Sequence, residues 1–238
     1  MMMSTGEADS LPTKVGFPLI DSATGMIAAQ SIMAALLRRR RAGQGAQLDI
    51  SMTQAAVQLM LTQVTRALSR QEDMPRVGNR GFSGSPGATS FQCADGWISV
   101  AANTPEQFCS LCNFLGVPGL ADDARLISQT AFKAERGFAV ALQPEEVHTL
   151  LTIQFLTLNS HDAEVSLNSV GVPAARIRTL MEFMRETMSD DLVTLPMRQT
   201  AYPEGTIWEF SPGYAVNGQP AAEQFPGTRS PLLGADTY

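Results

Sequence analysis

Apolar and polar positions alternate along this chain with periods that change several times, and each change marks an element. From Ser22 to Arg41 the residues are small or apolar until four arginines close the run, which predicts a first helix with a small-residue face at Gly25, Ala28, Ala29, Ala34 and Ala35. Gly43 and Gly45 end it. "AQLDI" (Ala46 to Ile50) then alternates like a short strand. Ser51 followed three residues later by Gln54 is a capping-box start, and Val57, Met60, Leu61, Val64 and Leu68 continue a helical period.

Between Gln71 and Ser90 the pattern dissolves into glycine, proline and polar residues, which predicts a crossing loop into a second region. "TSFQCADGWISVAA" is a hairpin pattern turning at Ala94-Asp95-Gly96. Thr104, Pro105 and Gln107 open a helix that Gly116 should stop. Further helices are expected at about 144–158, 161–170 and 179–188, with an irregular or β-like tail from Leu192. The fold class expected is α+β: residues 1–70 and about 200–238 flanking a small α/β domain near 75–195.

Composition narrows the function. A chain of 238 residues can bury a core without disulfides, and 44% hydrophobic with 17% charged residues is ordinary for a globular protein. A net charge of −6 argues against a nucleic-acid surface. Arg38 to Arg41 sit at a predicted helix C-terminus, where cations complement the dipole; an anionic ligand such as a phosphate is the alternative. Three cysteines do not make a disulfide framework, the start carries no signal-peptide pattern, and no apolar run is expected to reach a membrane span. The expectation is a cytoplasmic protein with no nucleic-acid or membrane partner.

The candidate motifs are individually weak. Cys109 and Cys112 form a CxxC inside a helix without a second ligand pair, so core packing is expected and no metal. "GFSGSPG" (Gly81 to Gly87) lacks the Lys-Ser/Thr of a P-loop. No G-x-S-x-G is present, and neither His148 nor His161 lies in a hydrolase motif. Asp21, before the small-residue helix, reads as a helix cap.

Taken in order, however, the segments resemble the family III CoA-transferases, the CaiB/BaiF group. The matching stretches are "MSTGEADSLPTKVGFPLIDSATGMIAAQSIMAALLRRRRAGQGAQLDISM", "RVGNRGFSGSPGATSFQCADGWISVAANTPEQFCSLCNFLG", "GVPAARI" and the closing "RSPLLGADT". Ala42 and Ala46 stand where the family usually has Thr and Gln, and Ala235 and Asp236 where it has Glu and His.

The resemblance implies acyl-CoA:carboxylate CoA transfer, in which an aspartate attacks the thioester and forms a mixed anhydride. CoA or acyl-CoA is the implied ligand. The resemblance further implies that this chain is truncated at both ends and that the attacking aspartate lies upstream of the "TGE" element, leaving the chain inactive alone. Asp21 then aligns with the acid of racemase relatives, and Asp9 is a poor substitute for the nucleophile. Gly81, Ser83 and Gly84 stand where the family has a mobile glycine-rich loop, with Arg38 and Arg41 as further CoA contacts. Two alternatives are a CoA-binding module and a half-enzyme completed by a partner chain. The exposed first helix leads to an expected homo-oligomer, a dimer.

Overall fold

The computed structural model describes residues 1–81, 83–132, 137–189, 197–202, 205–210, 213–216 and 219–220. The closing motif, residues 229–237, lies outside them. By packing, the chain forms two units, Met1–Arg176 and Ile177–Tyr238. It is a mixed α+β protein, as the pattern predicts.

In the first unit a 3-10 turn at Met2–Ser4 and an irregular segment lead into helix α1, Leu19–Ala42. Helix α1 starts three residues before the expected position, with Pro18 as N-cap, so Asp21 is a first-turn acid and not the cap. Gly43, at φ 69°, ends it in the left-handed conformation that glycine adopts without strain. Residues 46–50 are not a strand: none of the described residues offers them a ladder, and alternation without a partner cannot make a sheet. The Ser51–Gln54 capping box forms as expected and opens α2, Met52–Leu59, which breaks at Met60 before α3, Leu61–Arg70.

The hydrophobic core is built between Phe91 and Val172. Strands β1, Gly87–Gln92, and β2, Trp97–Ala102, pair antiparallel with Phe91 opposite Ile98. Ile98, Val100 and Ala102 point inward while Trp97 and Ser99 are exposed, the period-2 pattern of a sheet covered on one face. Helix α4, Pro105–Phe114, carries the Thr104–Gln107 capping box and buries Phe108, Leu111 and Cys112. After it come α5, Gly119–Asp122, α6, Gln129–Phe132, α7, Pro144–Phe155, and α8, Ser160–Ser169. Helix α7 inserts Val147, Leu151 and Phe155, and α8 adds Ala163 and Leu167. Phe91 stacks on Phe155 with ring centroids 4.4 Å apart and faces His148 at 5.5 Å.

A third strand, β3, Ala174–Ile177, completes the sheet order β1-β2-β3. In the second unit, α9, Leu180–Met188, is opened by a Thr179–Glu182 capping box. Hairpins β4, Met197–Tyr202, with β5, Gly205–Phe210, and β6, Ala215–Val216, with β7, Gln219–Pro220, follow.

The turn of the first hairpin does more than reverse the chain. Asp95 Oδ1 accepts from the Ser160 N–H at 2.7 Å, and its Oδ2 accepts from Asn159 Nδ2 at 2.8 Å and from Ser160 Oγ at 3.2 Å. It caps α8 from 65 residues away in sequence. The Ser160 N–H, foremost, holds the Asp95 carboxyl below its usual range. A carboxylate with a lowered folded pKa stabilises the fold above its unfolded value of about 4, and that contribution is lost as pH falls through the folded pKa. Asp95→Asn should therefore lower the urea midpoint at pH 7, and the gap from wild type should close toward pH 3. A gap that does not change with pH would show that the charge of Asp95 contributes nothing.

Helix α1 contrasts with this core. None of its residues is buried, and Met26 and Met33 are 73% and 64% exposed. Ala55 is the one buried residue of α2, and α3 buries none. Contrary to expectation, α1 is long and apolar enough to cross a membrane by length and composition, with a window of mean hydropathy 1.3. Leu19, Ile20, Met26, Ile27, Ile32, Met33 and Leu36 supply most of that hydropathy, and the alanines between them keep the polar share low.

Candidate functional site

Asp21 sits in the first turn of α1, where the aligned peptide dipoles favour a negative charge. The turn is set by Phe17 and Pro18: Leu19 N–H bonds the Phe17 carbonyl at 2.8 Å and Ser22 N–H the Pro18 carbonyl at 3.1 Å. The preceding segment folds back to enclose an open cavity of about 290 Å³. Val15, Phe17, Leu19 and Ile20 give it apolar walls, Thr5 and Thr13 bring hydroxyls, and Lys14 and Asp21 are its charged residues. Asp21 is exposed.

Other carboxylates near the fold's junctions are engaged structurally. Asp95 caps α8, Asp123 is bound by Arg125 at 2.7 Å, and Glu145 pairs with Arg80. The Arg80 hydrogen bond, first, and its charge hold Glu145 below the usual carboxylate range. Asp9 does not line the cavity.

The glycine loop lies between this segment and the small sheet. At its start, Arg76 Nη2 donates to the Ala8 carbonyl at 2.7 Å and Gly78 N–H donates to the Gly6 carbonyl at 3.1 Å. Gly78 has φ +62°, and a side chain there would meet the Glu7 carboxylate. Further on, Gly81 N–H bonds the Ala88 carbonyl at 2.7 Å, and Gly84, at φ +70°, donates back to the Gly81 carbonyl. Ser83 Oγ donates to Asn103 Oδ1 at 2.5 Å. Thus the "TGEAD" and "RVGN" stretches, about 70 residues apart in sequence, are in contact.

Of the residues expected in the site, Asp21 lines the cavity, and Gly81, Ser83 and Gly84 belong to the loop tied to its wall. Arg38 and Arg41 do not join them: they are exposed in the last turns of α1, about 25 and 30 Å along the axis from Asp21. Lys14, Asn103 and Glu145 carry no motif signal, and only packing reveals their places. Burial raises the thiols of Cys109 and Cys112, Cys112 to about 12, so neither is poised as a thiolate and core packing describes them. Among the described residues, no group of His, Cys, Asp and Glu could hold a metal ion.

Residues 1–237 match the sequence profile of CoA-transferase family III. Succinate–glutarate CoA-transferase of Agrobacterium fabrum is 29% identical over 78% of this chain and 44% of its own length. Succinyl-CoA–D-citramalate CoA-transferase of Chloroflexus aurantiacus is 30% identical over 76% of this chain and 43% of its own. The chain thus spans less than half the length of these relatives. Its fold is shared with an aspartate-to-alanine mutant of Rv3272 from Mycobacterium tuberculosis, with TM-score 0.70, 21% identity, and 92% and 54% of the two chains covered. A CaiB/BaiF family protein from Brucella suis aligns with TM-score 0.62, 22% identity, and 94% and 59% covered. The extent of the profile match settles the affiliation: this chain belongs to the CoA-transferase family III.

Proposed function

We propose that this chain transfers CoA between carboxylic acids, with Asp21 as the carboxylate that attacks the acyl-CoA thioester. The observation that carries this is the position of Asp21: an exposed carboxylate lining an apolar cavity beside a lysine. The family resemblance alone pointed to a nucleophile upstream of this chain and gave Asp21 a racemase-like role. Within the chain, Asp21 has the stronger claim to the attacking role, because Asp95, Asp123 and Glu145 are consumed by structural bonds.

In the proposed reaction the Asp21 oxygen bonds to the acyl carbon, the carbon–sulfur bond breaks, and CoA leaves as the thiolate. The acceptor carboxylate then attacks the Asp21 carbonyl of this mixed anhydride and displaces the donor acid as its carboxylate. The thiolate attacks the acyl carbon of the new anhydride, forming the acceptor thioester and freeing Asp21. The apolar cavity walls offer the acyl chain a surface to pack on. Lys14 offers a cation to a second carboxylate of the acyl group, in keeping with relatives named for succinate, glutarate and citramalate.

The exposed apolar surfaces of α1, α2 and α3 support a second element of the reading, an assembly that buries them. A homodimer is the simplest such assembly, and a complementing chain is the other; the lone 238-residue chain is then expected to be inactive. Action in the cytoplasm fits its three free cysteines.

The test is acylation of the purified protein with succinyl-CoA, trapped by hydroxylamine and located by peptide mass spectrometry, beside light scattering. A hydroxamate on the Asp21 peptide, formed in the oligomeric fraction, is the expected result. An oligomer that turns over substrate while leaving that peptide unmodified would overturn the role of Asp21.

A further inference from the structure

The described residues of the glycine loop are held by polar ties. Its described residues Gly81, Ser83 and Gly84 place no apolar side chain in the core. The tie from Ser83 runs to Asn103, at the corner between β2 and α4. The Asn103 N–H donates to Gln107 Oε1 at 3.0 Å, its Nδ2 donates to the Ala101 carbonyl at 3.0 Å, and its carbonyl accepts from the Ala139 N–H at 2.8 Å. With the amide nitrogen committed to Ala101, Oδ1 faces the loop as an acceptor, and Ser83 Oγ must donate to it. The same hydroxyl accepts from Ser85 N–H at 3.2 Å, while Ser85 Oγ donates to the Ala102 carbonyl at 2.6 Å. At the other end of the loop, Arg76 and Gly78 bind Ala8 and Gly6, between Thr5 and Thr13 of the cavity wall.

We infer that Asn103 is a positioning residue for the Asp21 cavity: through Ser83 it fixes the glycine loop, and through Arg76 and Gly78 the loop fixes the segment 5–13. The inference rests on the reading of that cavity as the reaction site, but the tie itself can be tested without turnover. No residue of this relay touches Asp21.

The experiment is amide hydrogen exchange on the full chain, comparing wild type with Ser83→Ala, Ser83→Thr, Asn103→Ala, Asn103→Asp and the double alanine variant. Loss of one hydrogen bond should raise exchange of the 76–90 peptide about 2- to 10-fold in Ser83→Ala. The 5–13 peptide should follow in the same direction, although Ser83 does not touch it. Ser83→Thr keeps the hydroxyl and should stay near wild type in the loop. Asn103→Asp keeps the acceptor for Ser83 but turns an oxygen toward the Ala101 carbonyl, so its loop should exchange no faster than that of Asn103→Ala. Asn103→Ala should add nothing in the loop when Ser83 is already alanine.

Core peptides outside the tie, such as 144–155, should be unchanged in Ser83→Ala, which separates positioning from general destabilisation. Wild-type exchange at 76–90 or at 5–13 in Ser83→Ala, or additive loop effects in the double variant, overturns the inference. Asp21 acylation in the same samples keeps the two claims apart. An oligomeric wild type that stays unacylated with the expected exchange pattern sinks the functional reading and leaves the tie; acylation with a flat exchange pattern does the reverse.

Discussion

Phe91→Ala is expected to remove about 3–5 kcal/mol of stability, a large share of the roughly 5–15 kcal/mol that holds a domain together. Phe91 is 1% exposed and lies at the centre of the only stack joining the sheet to α7 among the described residues, against Phe155 on one ring and His148 on the other. Truncation leaves a cavity that β1 cannot close, because its pairing with β2 fixes Phe91 opposite Ile98. The surrounding Ile98, Leu151 and Phe155 are themselves fully buried, so none can swing in from the surface. A urea titration reads the loss as a lower midpoint at unchanged slope. Phe91→Leu, which keeps most of the volume, should cost less than half as much. Equal costs for the two variants would mean that stacking, and not volume, carries the site.

The readable parts of this fold are those fixed by neighbours in sequence. Capping boxes at Ser51, Thr104 and Thr179 each satisfy backbone N–H groups with a residue three positions on, so the pattern and the geometry coincide. The Asp95-Gly96 turn is local in the same sense. Local pattern misleads where a partner decides. Residues 46–50 alternate like a strand and pair with none of the described residues, whereas the four residues of β3 become a strand because β2 offers an edge. Helix α8 starts at Ser160, one residue before the expected position, with Asn159 as its cap, and Asp95 completes that cap from a distance no periodicity can show.

The site divides along the same line. Asp21 was visible as an acid before a small-residue helix, but its place on a cavity depends on how residues 1–18 fold back, and that segment has no regular period. Gly81, Ser83 and Gly84 were visible as a glycine run, while their anchor on Asn103 is a contact across 20 residues. Arg38 and Arg41 looked like ligand contacts because charge density is easy to read. Helix length then sets them about 25 and 30 Å from the acid. Contact across the fold, more than residue type, decides which of these candidates can act together.

Asp21→Asn is the substitution expected to weaken transfer most, by about 10³-fold or more in kcat, with little effect on folding. The amide has almost the shape of the carboxylate and keeps the first turn of α1. What it loses at the helix N-terminus is a favourable charge–dipole contact of about 0.3–1 kcal/mol. As an acyl acceptor, by contrast, a neutral amide oxygen is a far poorer nucleophile, so the anhydride and its hydroxamate should both vanish. Asp21→Glu tests geometry instead of charge. One added methylene moves the carboxylate by more than about 1 Å, and a displacement of that size costs about 10²-fold. The order expected is therefore wild type, then the glutamate variant, then the asparagine variant, with all three showing similar urea midpoints. Steady-state CoA transfer with the matched unfolding curves reads both quantities on the same samples. If the asparagine variant keeps wild-type turnover, Asp21 is only a first-turn acid, and the attacking carboxylate must be sought elsewhere in the assembled enzyme.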